Sequence, residues 1–154
     1  EMATVKPTPE GYTSVTPYLI VSSPESALVF YEKAFNAKLH LRLDGPDGAI
    51  AHCEFHIGNA VIMMGGENPQ GNWKSPKTLG GTPVSLMIYC EDCDAMFARA
   101  IAAGATVIEP MEDKFYGDRA GKVSCPFGHE WTIATHKEDL SQDEIVARMM
   151  KLYG

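Results

Sequence analysis

No stretch of this chain approaches the ~20 consecutive apolar residues that a bilayer-spanning helix needs. Basic residues are also scarce: 13 Lys and Arg stand against 20 Asp and Glu, a formal net charge of −7. Without a basic stripe to neutralise phosphates, neither nucleic acid nor an anionic membrane is expected as a partner. No Gly-Lys-Ser/Thr phosphate loop and no Gly-x-Ser-x-Gly elbow occurs, so nucleotide binding and serine-hydrolase chemistry are not signalled. Residues 1–11 are polar and lack the apolar stretch of a signal peptide. There are four cysteines, and Cys90-Glu-Asp-Cys93 has no second pair with which to hold zinc. These residues are expected to be reduced thiols of a cytoplasmic protein. A helix starting at Cys93 would lower its thiol pKa, which leaves a redox role as a minor alternative.

What is present suits one globular unit. The 154 residues, 45 % of them apolar, suffice for a single domain with its own core. Residues 12–22, rich in β-branched and aromatic types, read as a strand. Ser23 reads as an N-cap before Pro24, and Ala27, Leu28, Phe30, Tyr31, Ala34 and Phe35 follow at helical spacing up to a turn at Asn36. Strands are predicted over 39–43, 51–57 and 60–64, separated by Gly45-Pro46-Asp47-Gly48 and Gly58-Asn59. Residues 65–80 read as a loop in which Trp73 is the one aromatic group.

The pattern then restarts. A strand over 84–89 leads to a helix capped by Asp92 and stopped at Gly104. Short strands follow over 106–108, 121–125 and 130–135. An offset of 69 residues overlays the halves, setting Thr16 on Ser85 and Met63 on Thr132. The organisation is therefore a first βαβββ module over 12–66, a linker over 67–80, a second module over 81–136 and a tail over 137–154. Ser141 and Glu144 form a capping box that opens a tail helix with Ile145, Val146, Met149, Met150 and Leu152. That apolar stripe is read as a packing face, for which a second subunit is one occupant.

Three signals carry a family resemblance: Thr16-Pro-Tyr-Leu running to Phe30-Tyr-Glu-Lys-Ala-Phe35, Phe115-Tyr-Gly-Asp-Arg119, and Cys125-Pro-Phe-Gly-His-Glu-Trp131. Together they resemble the vicinal oxygen chelate superfamily, that is, the glyoxalase, bleomycin-resistance and dioxygenase proteins, with the PhnB-like branch nearest. The resemblance implies an α+β fold in which two βαβββ modules form a curved mixed sheet around a cleft, often completed in a homodimer. In the family's metal enzymes four His, Glu or Gln ligands point into that cleft. The matching positions here are Thr16, Met63, Ser85 and Thr132, none a usual ligand for zinc, nickel or iron. The resemblance therefore implies a small-molecule-binding protein without the standard divalent metal or other cofactor.

Strand alternation adds candidates. His52, Glu54 and His56 share one face of their strand opposite the apolar Cys53, Phe55 and Ile57. His52 and Glu54 suit an acid–base pair, two ligands of a shifted metal site, or a mutual hydrogen bond. Tyr18, Met63, Met87 and Tyr89 are expected to line the cleft. Tyr116 and Arg119 are expected at its rim, Arg119 either as a clamp for an anionic ligand or in a structural ion pair. His129 and His136 read as surface residues. Two further readings stay open: a metal-dependent lyase, isomerase or dioxygenase using His52 and Glu54, and a PhnB-type accessory protein acting through protein contacts.

Overall fold

In the computed structural model, which describes residues 4–154, Ser23 opens the first helix as its chemistry requires. Its hydroxyl accepts from the Ser26 amide, Pro24 takes the first helical position, and Asn36 ends the helix in a left-handed conformation, φ 57°. Elements follow in the order β1 (Tyr18–Val21), α1 (Pro24–Phe35), β2 (Lys38–Asp44), β3 (Ile50–Ile57) and β4 (Ala60–Gly66). After α2 (Pro76–Leu79) the order repeats as β5 (Ser85–Tyr89), α3 (Cys93–Ala102), β6 (Thr106–Asp113), β7 (Asp118–Ser124) and β8 (Glu130–His136), and α4 (Gln142–Tyr153) ends the chain.

Each half is a four-stranded mixed sheet. The orders β1-β4-β3-β2 and β5-β8-β7-β6 are the same topology, which makes the fold two βαβββ modules of the α+β class. Tyr18 pairs with Met63 in the first sheet, and Met87 pairs with Thr132 in the second. This register agrees with the offset of 69 read from the sequence. β2 and β6 are outer strands of their sheets, and every residue of β2 is exposed.

Three sequence expectations change. Residues 12–17 are not strand: β1 begins at Tyr18, because Pro17 has no N–H and Ser14 and Val15 find no neighbouring strand. The 65–80 loop is partly ordered, since Gly65 and Gly66 extend β4 and Ser75 caps the short α2. β6 reaches Asp113 instead of stopping near Ile108, its register shifting twice along the pairing with β7.

One core serves both halves. Leu19, Val21, Phe55 and Met64 of the first sheet and Val123, Trp131 and Ile133 of the second bury against α1 and α3. Tyr31 of α1 stacks on Phe55 with ring centroids 5.5 Å apart and tilts against Trp131 at 5.2 Å. The modules therefore join through α1, which packs on α3 and sets its aromatic rings against Trp131 of β8. The opposite, helix-free face of each sheet is left to other uses.

Candidate functional site

The helix-free face of the first sheet carries an organised polar chain. Its assembly depends on Gly65: a Cβ there would come within 2.8 Å of the Tyr18 hydroxyl and 3.5 Å of the Trp73 ring. With glycine in place, Tyr18 reaches across β4 and its hydroxyl lies 2.8 Å from His52 Nδ1. His52 Nε2 lies 2.7 Å from Glu54 Oε2. The Tyr12 phenol, from the segment before β1, donates to the other Glu54 oxygen. Met63 stands beside this chain as cross-strand partner of both Tyr18 and Glu54. Trp73 meets the Tyr18 ring edge-on with centroids 5.1 Å apart, so the linker folds over this part of the sheet.

Glu54 is 7 % exposed, one of few buried polar residues among those described. Burial alone would raise its carboxyl, but the hydrogen bonds from Tyr12 and His52, with the His52 and His40 imidazoles nearby, hold it below its ordinary value. Glu54 is therefore a carboxylate near neutral pH. Tyr18 is raised by burial first, then by Cys53 and Glu54, and Tyr12 is raised mainly by its bond to Glu54; both stay protonated phenols. Leu41 and Leu43 of β2, opposite Glu54 and His52 in register, give the site an apolar border.

The sequence candidates divide into groups. Tyr18, His52, Glu54 and Met63 come together on the first sheet, with half-buried Thr16 just before β1. Ser85, Met87, Tyr89 and Thr132 lie on the helix-free face of the second sheet. There Lys122, the cross-strand partner of Thr132, pairs with Glu130 at 3.1 Å, and Tyr89 donates to buried Asp118 at 2.7 Å. Tyr116, in the β6–β7 connection, lines a separate cavity of about 400 Å³ with Phe115, Glu109, Glu112 and Tyr153. Arg119 is not a free clamp: it has the opposite parity on β7 and bonds Asp94 of α3 through Nε and Nη2, each at 3.0 Å, with Asp113 at 3.3 Å. Of the two roles expected for it, the ion-paired one is what the geometry holds.

Tyr12 and Gly65 were not among the sequence candidates. The two histidines read as surface residues are both engaged. His129 Nε2 donates to the Ile20 carbonyl at 2.8 Å, beside an inter-module cavity of about 260 Å³ lined by Tyr18, Ile20, Pro76, Leu79 and Leu86. His136 sits between Asp118 and Asp139, at 2.7 Å from each, and these carboxylates raise its pKa. Its contribution to stability is then present below the unfolded histidine value of about 6.5 and lost as pH rises through the folded one. The wild type is expected to lose melting temperature between pH 6 and pH 8 by more than His136→Gln does. Identical pH profiles would show that His136 does not tie β8 to the segment before α4.

The residues at the family's ligand positions do not fit a divalent metal. Thr16, Ser85 and Thr132 offer weak neutral hydroxyl donors, and Met63 a thioether suited to soft copper. Among the described residues no three of His, Cys, Asp and Glu are grouped to hold a metal ion. Burial raises the Cys90 thiol pKa, and Cys93 is buried with its amide bonded to the Thr135 hydroxyl.

Comparison with known proteins agrees with this architecture. The sequence profile of the Glyoxalase/Bleomycin resistance protein/Dioxygenase superfamily matches residues 12–133. The uncharacterised protein Mb0911c of Mycobacterium bovis is 41 % identical over 139 residues, covering 88 % of this chain and 91 % of the relative. TioX from Micromonospora sp. ML1 superposes with a TM-score of 0.64 at 24 % identity, over 84 % of this chain and all of its own. A PhnB protein from Bacillus cereus superposes at 0.62 with 15 % identity, over 80 % of this chain and 99 % of its own.

Proposed function

The chain belongs to the Glyoxalase/Bleomycin resistance protein/Dioxygenase superfamily, and we propose from that premise that it binds a small organic molecule on the helix-free face of its first sheet, without the superfamily's divalent metal. The observation that carries this reading is the chain Tyr18–His52–Glu54–Tyr12, a buried carboxylate held by hydrogen bonds on a face that no helix covers. Burying a carboxylate is expensive unless it is bonded, and a sheet face needing only solubility would place it in water. Met63, Trp73 and Tyr18 add the adaptable and aromatic walls that a small ligand needs beside such a polar centre.

Nuclear magnetic resonance against a fragment library tests the reading. Shift changes are expected to centre on Tyr12, Tyr18, His52 and Trp73. Hits confined to the second sheet, around Met87 and Thr132, would overturn it. Stoichiometric zinc, nickel, manganese or iron in protein purified without a metal-binding tag would restore the metal-dependent alternative.

The working form in this proposal is a cytoplasmic homodimer. Four free thiols suit a reducing compartment, and no helix of the described residues is long and apolar enough to cross a membrane. α4 buries none of its residues, and Val146, Met149, Met150 and Leu152 are all exposed. A second copy covering that stripe would remove it from water. Deleting residues 138–154 is expected to shift the protein towards monomer in light scattering. A monomer at micromolar concentration with the tail intact would rule the dimer out.

A further inference from the structure

The hydrogen-bond chain has a direction. Glu54 is ionised and its Oε1 is taken by the Tyr12 hydroxyl, so Oε2 offers only lone pairs to His52. For His52 in its neutral form, the single ring proton lies on Nε2, facing that oxygen at 2.7 Å. Its Nδ1 then has a lone pair and no hydrogen, and the Tyr18 hydroxyl 2.8 Å away must be the donor. Tyr18 has a single hydroxyl hydrogen, and this arrangement uses it. What its oxygen presents to the open face is lone pairs only.

We propose that Tyr18 is fixed as a hydrogen-bond acceptor by the Glu54–His52 pair, and that the site therefore selects ligands carrying a hydroxyl or N–H donor over isosteres that can only accept. The proposal rests on the reading of this face as the binding site and names the class of ligand that it takes: a small, flat, apolar body bearing a donor group. A free phenol would bond to either class by rotating its hydrogen; here rotation would break the bond to His52 and leave Nδ1 unpaired. The apolar body fits the surroundings, since Trp73 borders the Tyr18 ring and Leu41 and Leu43 flank the polar pair in register. Gly65 keeps the arrangement flat, because any side chain there would push the Tyr18 hydroxyl off His52.

Two measurements on the full chain test this. In 15N-labelled protein, His52 is expected to carry its proton on Nε2, and a proton on Nδ1 would overturn the proposal before any ligand is added. Phenol and anisole then serve as probes of nearly equal shape, the second lacking the donor. The ratio of phenol to anisole affinity is expected to be about three- to tenfold higher in the wild type than in Tyr18→Phe, the range for one neutral hydrogen bond. An unchanged ratio, with both probes shifting the Tyr12, His52 and Trp73 resonances, would sink donor selection and leave the binding reading standing. If neither probe perturbs that face at millimolar concentration, both fall. Tyr18→Phe removes one oxygen from a residue 37 % exposed, and amide shifts of α1 and β8 unchanged by the substitution will show that the fold is kept.

Discussion

Replacing Trp131 by Ala is expected to lower the stability of the whole chain by about 3–5 kcal/mol, the range for a large aromatic removed from a core. Trp131 is 1 % exposed and belongs to the second module, yet its rings lie 5.0 Å from Phe35 and 5.2 Å from Tyr31, both on the helix of the first. The substitution would open a void where the two halves meet, and a typical domain has only about 5–15 kcal/mol in total. Urea unfolding followed by far-ultraviolet dichroism measures the loss. The indole also buries an N–H that has no partner among the described residues. Trp131→Phe removes that orphan donor together with part of the volume, so it should lose clearly less than Trp131→Ala. A loss under about 1 kcal/mol for the alanine variant would mean that this cluster does not join the modules.

Glu54→Ala should act at the site as well as on the fold. It leaves the Tyr12 hydroxyl and His52 Nε2 without their acceptor. Stranded polar groups of this kind cost about 1–3 kcal/mol each when burial is complete; this site is only partly buried, so the lower end applies. The affinity of any fragment bound at Tyr18 should fall about tenfold or more, one tenfold step corresponding to about 1.4 kcal/mol. The pH dependence has a definite sign. Glu54 titrates below its ordinary value when folded, so its contribution is present above the unfolded value of about 4.3 and fades as pH falls through the folded one. The alanine variant should therefore differ most from wild type near neutrality and converge with it in acid. Wild-type fragment affinity in Glu54→Ala would remove the carboxylate from the site.

How far the sequence could be read is seen at two pairs of residues. Tyr18 with Met63 and Met87 with Thr132 were set in correspondence by the repeat, and the sheet registers agree. Strand alternation likewise placed His52 and Glu54 together on the face away from Cys53 and Phe55. The third strand of each module escaped the offset. Cross-strand partners are nine positions apart in Glu54 and Met63 but ten in Lys122 and Thr132, so one more residue lies between the partners in the second hairpin. Lysine thus stands in the second half where the first has its carboxylate, and only the register shows it. Tyr12 was hidden for another reason: its partner lies 42 positions away, and no local pattern reports a contact made by a loop. Arg119 was misplaced at a cleft rim because its partner Asp94 comes from the helix of the same module, 25 positions earlier.

Two of the outer strands, β2 and β6, are not equally defended. β6 carries Pro110, two register shifts and the charges of Glu109, Glu112 and Asp113, all of which discourage another strand from adding to it. β2 has register shifts too, but Leu39, Leu41 and Leu43 alternate along it, 48 %, 38 % and 51 % exposed. A row of unpaired backbone groups beside leucines is a template for cross-β growth. Loosening of the first module would therefore channel damaged molecules into aggregation through β2, while loosening of the second would meet a charged, proline-interrupted edge. Leu41 and Leu43, which border the polar pair, thus also mark an edge open to misassembly.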